Sequence, residues 1–97
     1  MKYFDWSEEK NSLLIKERGI SFERVLMAIG EGGLLDVLEH HNPEKYRGQR
    51  LMVVEIEGYA FLVPFVEDEE HVFLKTVIPS RKATRRYLRR DDDDIKK

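Results

Sequence analysis

The sequence of 97 residues contains no cysteine and no long apolar run. The missing thiols exclude disulfides, thiolate nucleophiles and cysteine-ligated zinc, and they are consistent with a reducing compartment. No stretch approaches the roughly 20 apolar residues that a transmembrane helix needs, and the first residues lack the pattern of a secretory signal. We therefore expect a cytoplasmic protein that makes no membrane contact.

The composition limits the protein to one small domain. Hydrophobic residues make up 41% of the chain, which is enough for a single modest core. We predict one domain over residues 1–90. Residues 91–97 form an acidic tail with too little apolar surface to fold, so we expect this tail to be disordered.

The charges are segregated along the chain. Residues 1–80 carry a net charge of −6, whereas residues 81–90 carry +6. The net charge of −2 for the whole chain hides this difference. A concentrated positive segment on an acidic domain predicts a surface that binds a polyanion, and a phosphate backbone is the first candidate.

The amino-terminal half reads as a short strand followed by two helices. Residues 1–6 suit the strand, and Ser7 is a good cap for a first helix that runs to about Arg18. Gly19 is the expected stop signal. Ser21 caps the second helix, in which apolar residues recur at the spacing of one buried face.

The rest of the chain has the pattern of strands. The predicted strands cover residues 34–40, 51–56, 59–66 and 72–78. Glu57-Gly58 predicts a tight hairpin, Pro64 predicts a bulge or an edge segment, and Ser80 caps a final short helix. The fold class is therefore α+β, with a short N-terminal strand, two helices, an antiparallel sheet of three to four strands and a short C-terminal helix.

The final helix separates its charged residues from its apolar ones. Arg81, Lys82, Arg85 and Arg86 share one side, while the other side carries Ala83, Tyr87 and Leu88. Like charges at this spacing repel each other, which predicts a negative partner. Two alternatives remain: the acidic tail and the acidic turn at residues 67–70 neutralise these cations, or the helix is simply a solvated face.

Arginine suits one particular chemistry. A guanidinium binds two phosphate oxygens at once and stays charged at any working pH. In RNA cleavage the ribose 2′-OH attacks the adjacent phosphate, and fixed cations stabilise the added negative charge without a metal or another cofactor. The reaction also needs a general base and a general acid.

The candidates for proton transfer are few. His40 or His41, at the junction of a strand and a loop, is the first choice, and His71 is a weaker one. The alternative is that these histidines are solvated loop residues. Adjacent strand residues point to opposite faces, so His40 and His41 do not predict a metal site.

Lysine and tyrosine side chains complete the set of candidates. Lys75 alternates with Phe73 and Val77, which predicts that it shares their face of the last strand; there it either acts in proton transfer or extends to solvent. Tyr87 and Tyr59 are able to stack on a base, with core packing as the alternative.

Two segments resemble the BrnT family of bacterial toxins, which belong to type II toxin-antitoxin systems and to the RelE-like ribonuclease superfamily. The first is Phe4-Asp5-Trp6-Ser7-Glu8-Glu9-Lys10 with Arg18-Gly19-Ile20-Ser21-Phe22-Glu23. The second is Ile78-Pro79-Ser80-Arg81-Lys82-Ala83-Thr84-Arg85. In this order the two segments span roughly residues 3–90. The chain departs from the family pattern at Glu17-Arg18-Gly19, where many members have Lys-His-Gly, and at Tyr87, where members commonly carry Glu.

The resemblance implies a toxin that hydrolyses RNA and stops translation. It also implies a ribbon-helix-helix antitoxin as partner, with DNA bound only through the toxin-antitoxin complex, and either a homodimer or a toxin-antitoxin hetero-oligomer. By position, Arg81 and Lys82 match the basic pair that follows the last strand in the family, and Lys75 lies near a basic position on that strand.

Together these arguments predict a metal-independent endoribonuclease. The predicted catalytic residues are Arg81, Lys82, Lys75 and His40. The predicted RNA-binding residues are Arg85, Arg86, Arg50 and Tyr87. The alternative hypothesis is a non-catalytic module that uses the basic helix to bind RNA or an acidic protein.

Overall fold

The computed structural model describes residues 2–40, 42, 44–45 and 48–88. Its elements are β1 (Tyr3–Asp5), α1 (Glu8–Arg18), α2 (Phe22–Gly30), β2 (Leu34–Glu39), β3 (Gln49–Ile56), β4 (Tyr59–Glu67), β5 (His71–Leu74), β6 (Ile78–Pro79) and α3 (Arg81–Leu88). The predicted α+β class is confirmed. His41 and the acidic tail lie outside the described residues. Among the helices described, none has the length and apolar character needed to cross a bilayer.

Local signals at the helix ends act as the sequence predicted. The Ser7 hydroxyl accepts a hydrogen bond from the amide of Lys10 at 3.2 Å, and the Ser21 hydroxyl accepts one from the amide of Arg24 at 3.0 Å. Gly19 ends α1 with φ of 68°, a left-handed conformation that glycine adopts without a steric penalty.

A buried asparagine joins the first two helices. Asn11 is 5% exposed; its side-chain oxygen accepts from the Phe22 amide at 2.8 Å, and its NH₂ group donates to Glu23 Oε1 at 2.8 Å. The Trp6 ring stacks on Phe22 with centroids 5.5 Å apart. The first family-like segment therefore builds the connection between α1 and α2, which is a structural role.

The sheet has six strands in the order β1-β5-β4-β3-β2, with β6 beside β4. Strands β2 to β5 are antiparallel, as predicted. The sheet is larger than predicted because β1 joins it by parallel pairing with β5 and because the last predicted strand divides into β5 and β6. The hairpin between β3 and β4 is tight, since Glu57 and Gly58 both have positive φ, 53° and 81°.

The predicted bulge or edge at Pro64 is wrong. Pro64 lies in the central strand β4 and pairs regularly with β3. Its carbonyl accepts from the Lys75 amide at 2.8 Å, and the β4–β5 pairing begins only at Phe65. The proline nitrogen, which has no hydrogen to donate, therefore faces the place where β5 ends. No hydrogen bond between strands is lost there. The irregularity lies in β2, between Leu34 and Asp36.

The predicted single strand over residues 72–78 is interrupted after Leu74. Val77 is fully buried in the same cluster as Leu74, whereas Phe73 lies on the opposite face of the sheet. The prediction that Lys75 shares a face with both Phe73 and Val77 is therefore wrong for Val77. The reason is that the chain leaves the ladder after β5, so the two-residue alternation no longer holds.

The sheet is covered on both faces by unequal layers. Helices α1 and α2 cover what we call the helix-side face, and α3 covers part of the other, the α3 face. The helix-side core contains Leu14, Ile20, Phe22, Val25, Ala28, Met52, Val54, Ile56, Val63, Phe65, Val72, Leu74 and Val77. Among the described residues, the α3-face core contains Val53, Ala60 and Ala83, with Leu35, Leu38, Leu62, Tyr87 and Leu88 packed around them.

Candidate nucleic-acid interface

Helix α3 is fixed to β4 by buried hydrogen bonds at its first turn. The Ser80 hydroxyl accepts from the Ala83 amide at 3.0 Å, which confirms Ser80 as the cap, and the Ser80 amide donates to the Ala60 carbonyl at 3.0 Å. Thr84 is 2% exposed; its hydroxyl accepts from the Ala60 amide and donates to the Ser80 carbonyl, both at 2.8 Å. The second family-like segment therefore also contains anchoring residues.

The other end of α3 is attached to β2. The Tyr87 hydroxyl donates to Asp36 Oδ2 at 2.7 Å, across 51 positions of sequence. This bond, with help from the Val37 amide and the nearby Arg86 charge, lowers the pKa of Asp36. The same bond, together with burial, raises the pKa of Tyr87. Tyr87 was predicted to bind RNA, but the structure commits its hydroxyl to holding the helix.

The four cations of α3 point away from these anchors. Arg81, Lys82, Arg85 and Arg86 are all exposed. In the described part of the chain, none of the four forms an ion pair. Arg86 lies 5.7 Å from the centre of the Tyr87 ring. Within the described residues their charges therefore remain available to an anion, and the acidic turn at residues 67–70 does not neutralise them.

A groove of about 200 Å³ runs between α3 and the sheet. Its floor is formed by Leu38, Val53 and Leu62, and its α3 wall by Ser80, Lys82, Ala83, Arg86 and Tyr87. Lys82 and Arg86 are one helical turn apart, about 6 Å along the axis. We call this the α3 groove. The α3 groove therefore combines two cations with an apolar floor, which is the combination of charge and contact surface that binding of a nucleic-acid strand requires.

Arg81 and Arg85 occupy the outer flank of α3. Neither lines the α3 groove. The 100° step of a helix places all four cations on one side of α3, with Arg81 and Arg85 beside Lys82 and Arg86 but turned further from the groove. The structure therefore divides the predicted cationic set into two pairs, and only one pair faces the sheet.

Lys75 lies on the α3 face of the sheet. It follows β5 directly, and its amide bonds the carbonyl of Pro64, two residues from the groove residue Leu62. Its ammonium lies 5.5 Å from the centre of the Phe73 ring, which belongs to the same face. Lys75 therefore adds a cation to the face of the sheet that carries the α3 groove, although it does not line the groove.

His40 stands just beyond β2, two residues after the groove residue Leu38, about 7 Å along the strand. Its Nδ1 accepts from the Asn42 amide at 3.1 Å, so a neutral imidazole carries its proton on Nε2. His71, the weaker candidate, lies 3.6 Å from Asp68 at the far end of β5. Neither histidine lines the α3 groove.

Arg50 is not brought together with the α3 cations. It pairs across the hairpin with Phe65, a residue of the helix-side core, and its guanidinium lies 5.1 Å from the centre of that ring. It also forms an ion pair with Glu67, which in turn accepts from Lys2 at 2.6 Å. These two cations lower the pKa of Glu67, with the hydrogen bond from Lys2 as the largest cause.

The sequence analysis missed two residues that position the site. Neither Asp36 nor Thr84 was among the predicted site residues. Asp36 did carry a signal, because an acidic residue with Leu35 and Val37 on either side of it in a strand needs a polar partner. Thr84 follows the cap residue by one turn on the inner side of α3, which is also readable from spacing.

Comparisons with family models, curated proteins and solved structures find no match to this chain. The resemblance to BrnT toxins therefore remains a prediction from two short segments.

Proposed function

We propose that the protein is a metal-independent endoribonuclease, the toxin of a type II toxin-antitoxin system, which acts in the cytoplasm. The α3 groove supports this most directly, since Lys82 and Arg86 stand over an apolar floor without ion-pair partners among the described residues. We assign these two residues to the RNA phosphates. Arg81 and Arg85 then contact the neighbouring part of the strand from the outer flank of α3.

The chemistry uses fixed positive charge. As the ribose 2′-OH attacks, charge develops on the phosphate oxygens, and cations held in place by the sheet stabilise it without reorganising. The bonds of Thr84 and Tyr87 supply that rigidity by fixing both ends of α3. Lys75 contributes a further cation on the same face, and His40 is our candidate for proton transfer.

A non-catalytic RNA-binding module is the second candidate, and a specific observation favours it. To act as a base through Nε2, a neutral His40 has to move its proton to Nδ1, but Nδ1 accepts the Asn42 amide. Tyr87 is likewise engaged by Asp36. The groove therefore holds cations in position, whereas the described residues near it show no prepared acid-base pair.

For the partner we propose a ribbon-helix-helix antitoxin that covers the α3 groove with acidic side chains. DNA is then contacted only through the complex. The exposed cations of α3 provide the charge that such a segment needs. Competition between the antitoxin and RNA for Lys82 and Arg86 is the expected consequence.

Cleavage of labelled single-stranded RNA in EDTA tests the proposal. We expect cleavage by the wild-type protein and a loss of about 100-fold or more in the Lys82→Gln, Arg86→Gln variant, because each charge-assisted contact contributes about 1.5–3 kcal/mol. The matched control is Lys10→Gln, Lys16→Gln on α1, which removes the same charge and should retain the rate.

The outcomes separate the two candidates. RNA that is bound but not cut, with affinity dependent on Lys82 and Arg86, selects the binding module. Cleavage that is lost in EDTA and restored by a divalent metal contradicts the metal-independent mechanism. Cleavage equal in both double variants contradicts the assignment of the α3 groove.

A further inference from the structure

A second, larger cavity lies on the other side of the molecule. It has a volume of about 670 Å³ and opens between the α1–α2 connection and the β3–β4 hairpin. It is lined by Ile15, Arg18, Gly19, Ile20, Ser21, Arg24, Ile56, Glu57, Tyr59 and Phe61. We call it the elbow cavity. None of these ten residues lines the α3 groove.

Two guanidinium groups reach the elbow cavity from different helices. Arg18 uses one donor, Nη1, on the Val77 carbonyl at 3.0 Å, which fixes the side chain and leaves its other donors for a ligand. Arg24 Nη1 is buried and has no hydrogen-bond partner within the described residues. Arg24 also lines the cavity, and its guanidinium forms no ion pair with the described residues, so its charge is not neutralised within that part of the protein.

The helix backbone does not compete for that role. At the start of α2 the Phe22 amide already donates to Asn11, and the Arg24 amide donates to Ser21. An anion in the elbow cavity would therefore be held by the arginine side chains. A pair of guanidinium forks matches the several oxygens of a phosphate group.

The rest of the cavity suits an organic body. Isoleucine side chains form part of its wall, and the rings of Tyr59 and Phe61 meet edge to face at 5.8 Å. We propose that the elbow cavity binds a phosphorylated ligand of nucleotide size, with Arg18 and Arg24 on the phosphate and the aromatic rings beside the base. This inference does not depend on the RNA-cleaving activity proposed above.

Carboxylates near Arg24 oppose the anion and provide a test. Glu57 lines the elbow cavity, and Glu31, Glu55 and Glu57 line a smaller cavity on the other side of the Arg24 side chain. No ion pair joins Arg24 to any of them in the described part of the chain. Removing the Glu57 charge should therefore strengthen anion binding.

The experiment is an NMR titration of the ¹⁵N-labelled protein with uridine 5′-monophosphate, inorganic phosphate and uridine as separate probes. We expect saturable shifts at the amides of Gly19, Ser21 and Tyr59 with the nucleotide, weaker shifts with inorganic phosphate, and little response to uridine. Arg24→Gln should lower the affinity for the nucleotide by about tenfold or more, and Glu57→Gln should raise that affinity. Lys16→Gln is the control for lost charge on α1 and should change nothing.

Three results would overturn the inference: nucleotide shifts confined to α3, equal affinity in the Arg24→Gln protein, or uridine binding as well as the nucleotide. If Arg24→Gln does not fold, Arg24→Lys replaces it. That variant keeps the positive charge but lacks the planar guanidinium that binds two oxygens, so it should bind the nucleotide several-fold more weakly. Undiminished affinity would again contradict the assignment.

Discussion

The two faces of the sheet differ in what they contain. The helix-side face buries a continuous cluster that includes Phe22, Val25 and Val54, all 0% exposed. On the α3 face three buried residues form the core among the residues that the structure describes, and the covering helix is fixed by the polar contacts of Ser80, Thr84 and Tyr87. The difference indicates that stability resides mainly on one face, which leaves the other free to carry cations that form no ion pair with the described residues.

Like charges on α3 repel, and the hydrophobic contribution that offsets this repulsion on the α3 face is small. Hydrogen bonds with fixed geometry compensate by holding the helix in one orientation. An arrangement of this kind suits a binding surface, because the orientation of the helix that carries Lys82 and Arg86 is set by specific hydrogen bonds rather than by general apolar contact.

The largest expected effect comes from the helix-side core. Phe22→Ala should lower the free energy of unfolding by about 3–5 kcal/mol because it removes a fully buried ring. Leu62→Ala on the α3 face should lower it by about 1–2 kcal/mol because that side chain is only half-buried. Urea denaturation measures both. If Phe22→Ala prevents folding, Phe22→Leu replaces it and should still lower the free energy of unfolding more than Leu62→Ala does. A larger loss from Leu62→Ala than from the Phe22 variant would contradict the difference between the two faces.

An intermediate effect is expected at Thr84. Thr84→Val keeps the shape but leaves the buried Ala60 amide without its acceptor, at a cost of about 1–3 kcal/mol. Thr84→Ser retains the hydroxyl and is the control. Hydrogen exchange should show faster exchange of α3 amides in the valine protein, while α2 amides stay protected. An equal loss of protection in α2 and α3 would contradict the view that the Thr84 hydrogen bond holds α3 on the sheet independently of α2.

A smaller effect is expected at Asp36 and Tyr87. The folded pKa of Asp36 is below its ordinary value of 3.8, so the contribution of the Asp36 carboxylate is present above that pH and is lost as pH falls through the folded pKa. Tyr87→Phe should raise the pKa of Asp36 toward the ordinary value and reduce the acid dependence of stability below about pH 4. Carboxyl ¹³C NMR gives the pKa directly. An unchanged Asp36 pKa would show that the tyrosine is not its main partner.

Much of the fold could be predicted because its signals are local. Ser7, Gly19, Ser21 and Ser80 act at the ends of helices through contacts only a few residues apart, and Glu57-Gly58 sets the hairpin by its own backbone preference. The parallel pairing of β1 with β5 joins residues nearly 70 positions apart, as at Tyr3 and His71. No periodicity reports such a contact.

The site was less predictable because its contacts join residues that are distant in the sequence. The cationic side of α3 followed from helical spacing, but Tyr87 and Asp36 meet across the fold. Arg50 was predicted to bind RNA, but it lies on the helix-side face, beside Phe65. Strand β3 is hydrophobic at every position from Leu51 to Val54. Alternation then cannot tell which face a neighbouring charge occupies.

The most direct test of the α3 groove as an RNA-binding surface is the salt dependence of affinity for single-stranded RNA. Each phosphate contact on a single strand contributes about 0.7 to the slope of log K against log salt, so Lys82→Gln, Arg86→Gln should reduce the slope by about 1.4. Arg50→Gln, on the opposite face, should leave it unchanged. Equal slopes for the wild type and the double variant, or an equal loss in Arg50→Gln, would contradict the account.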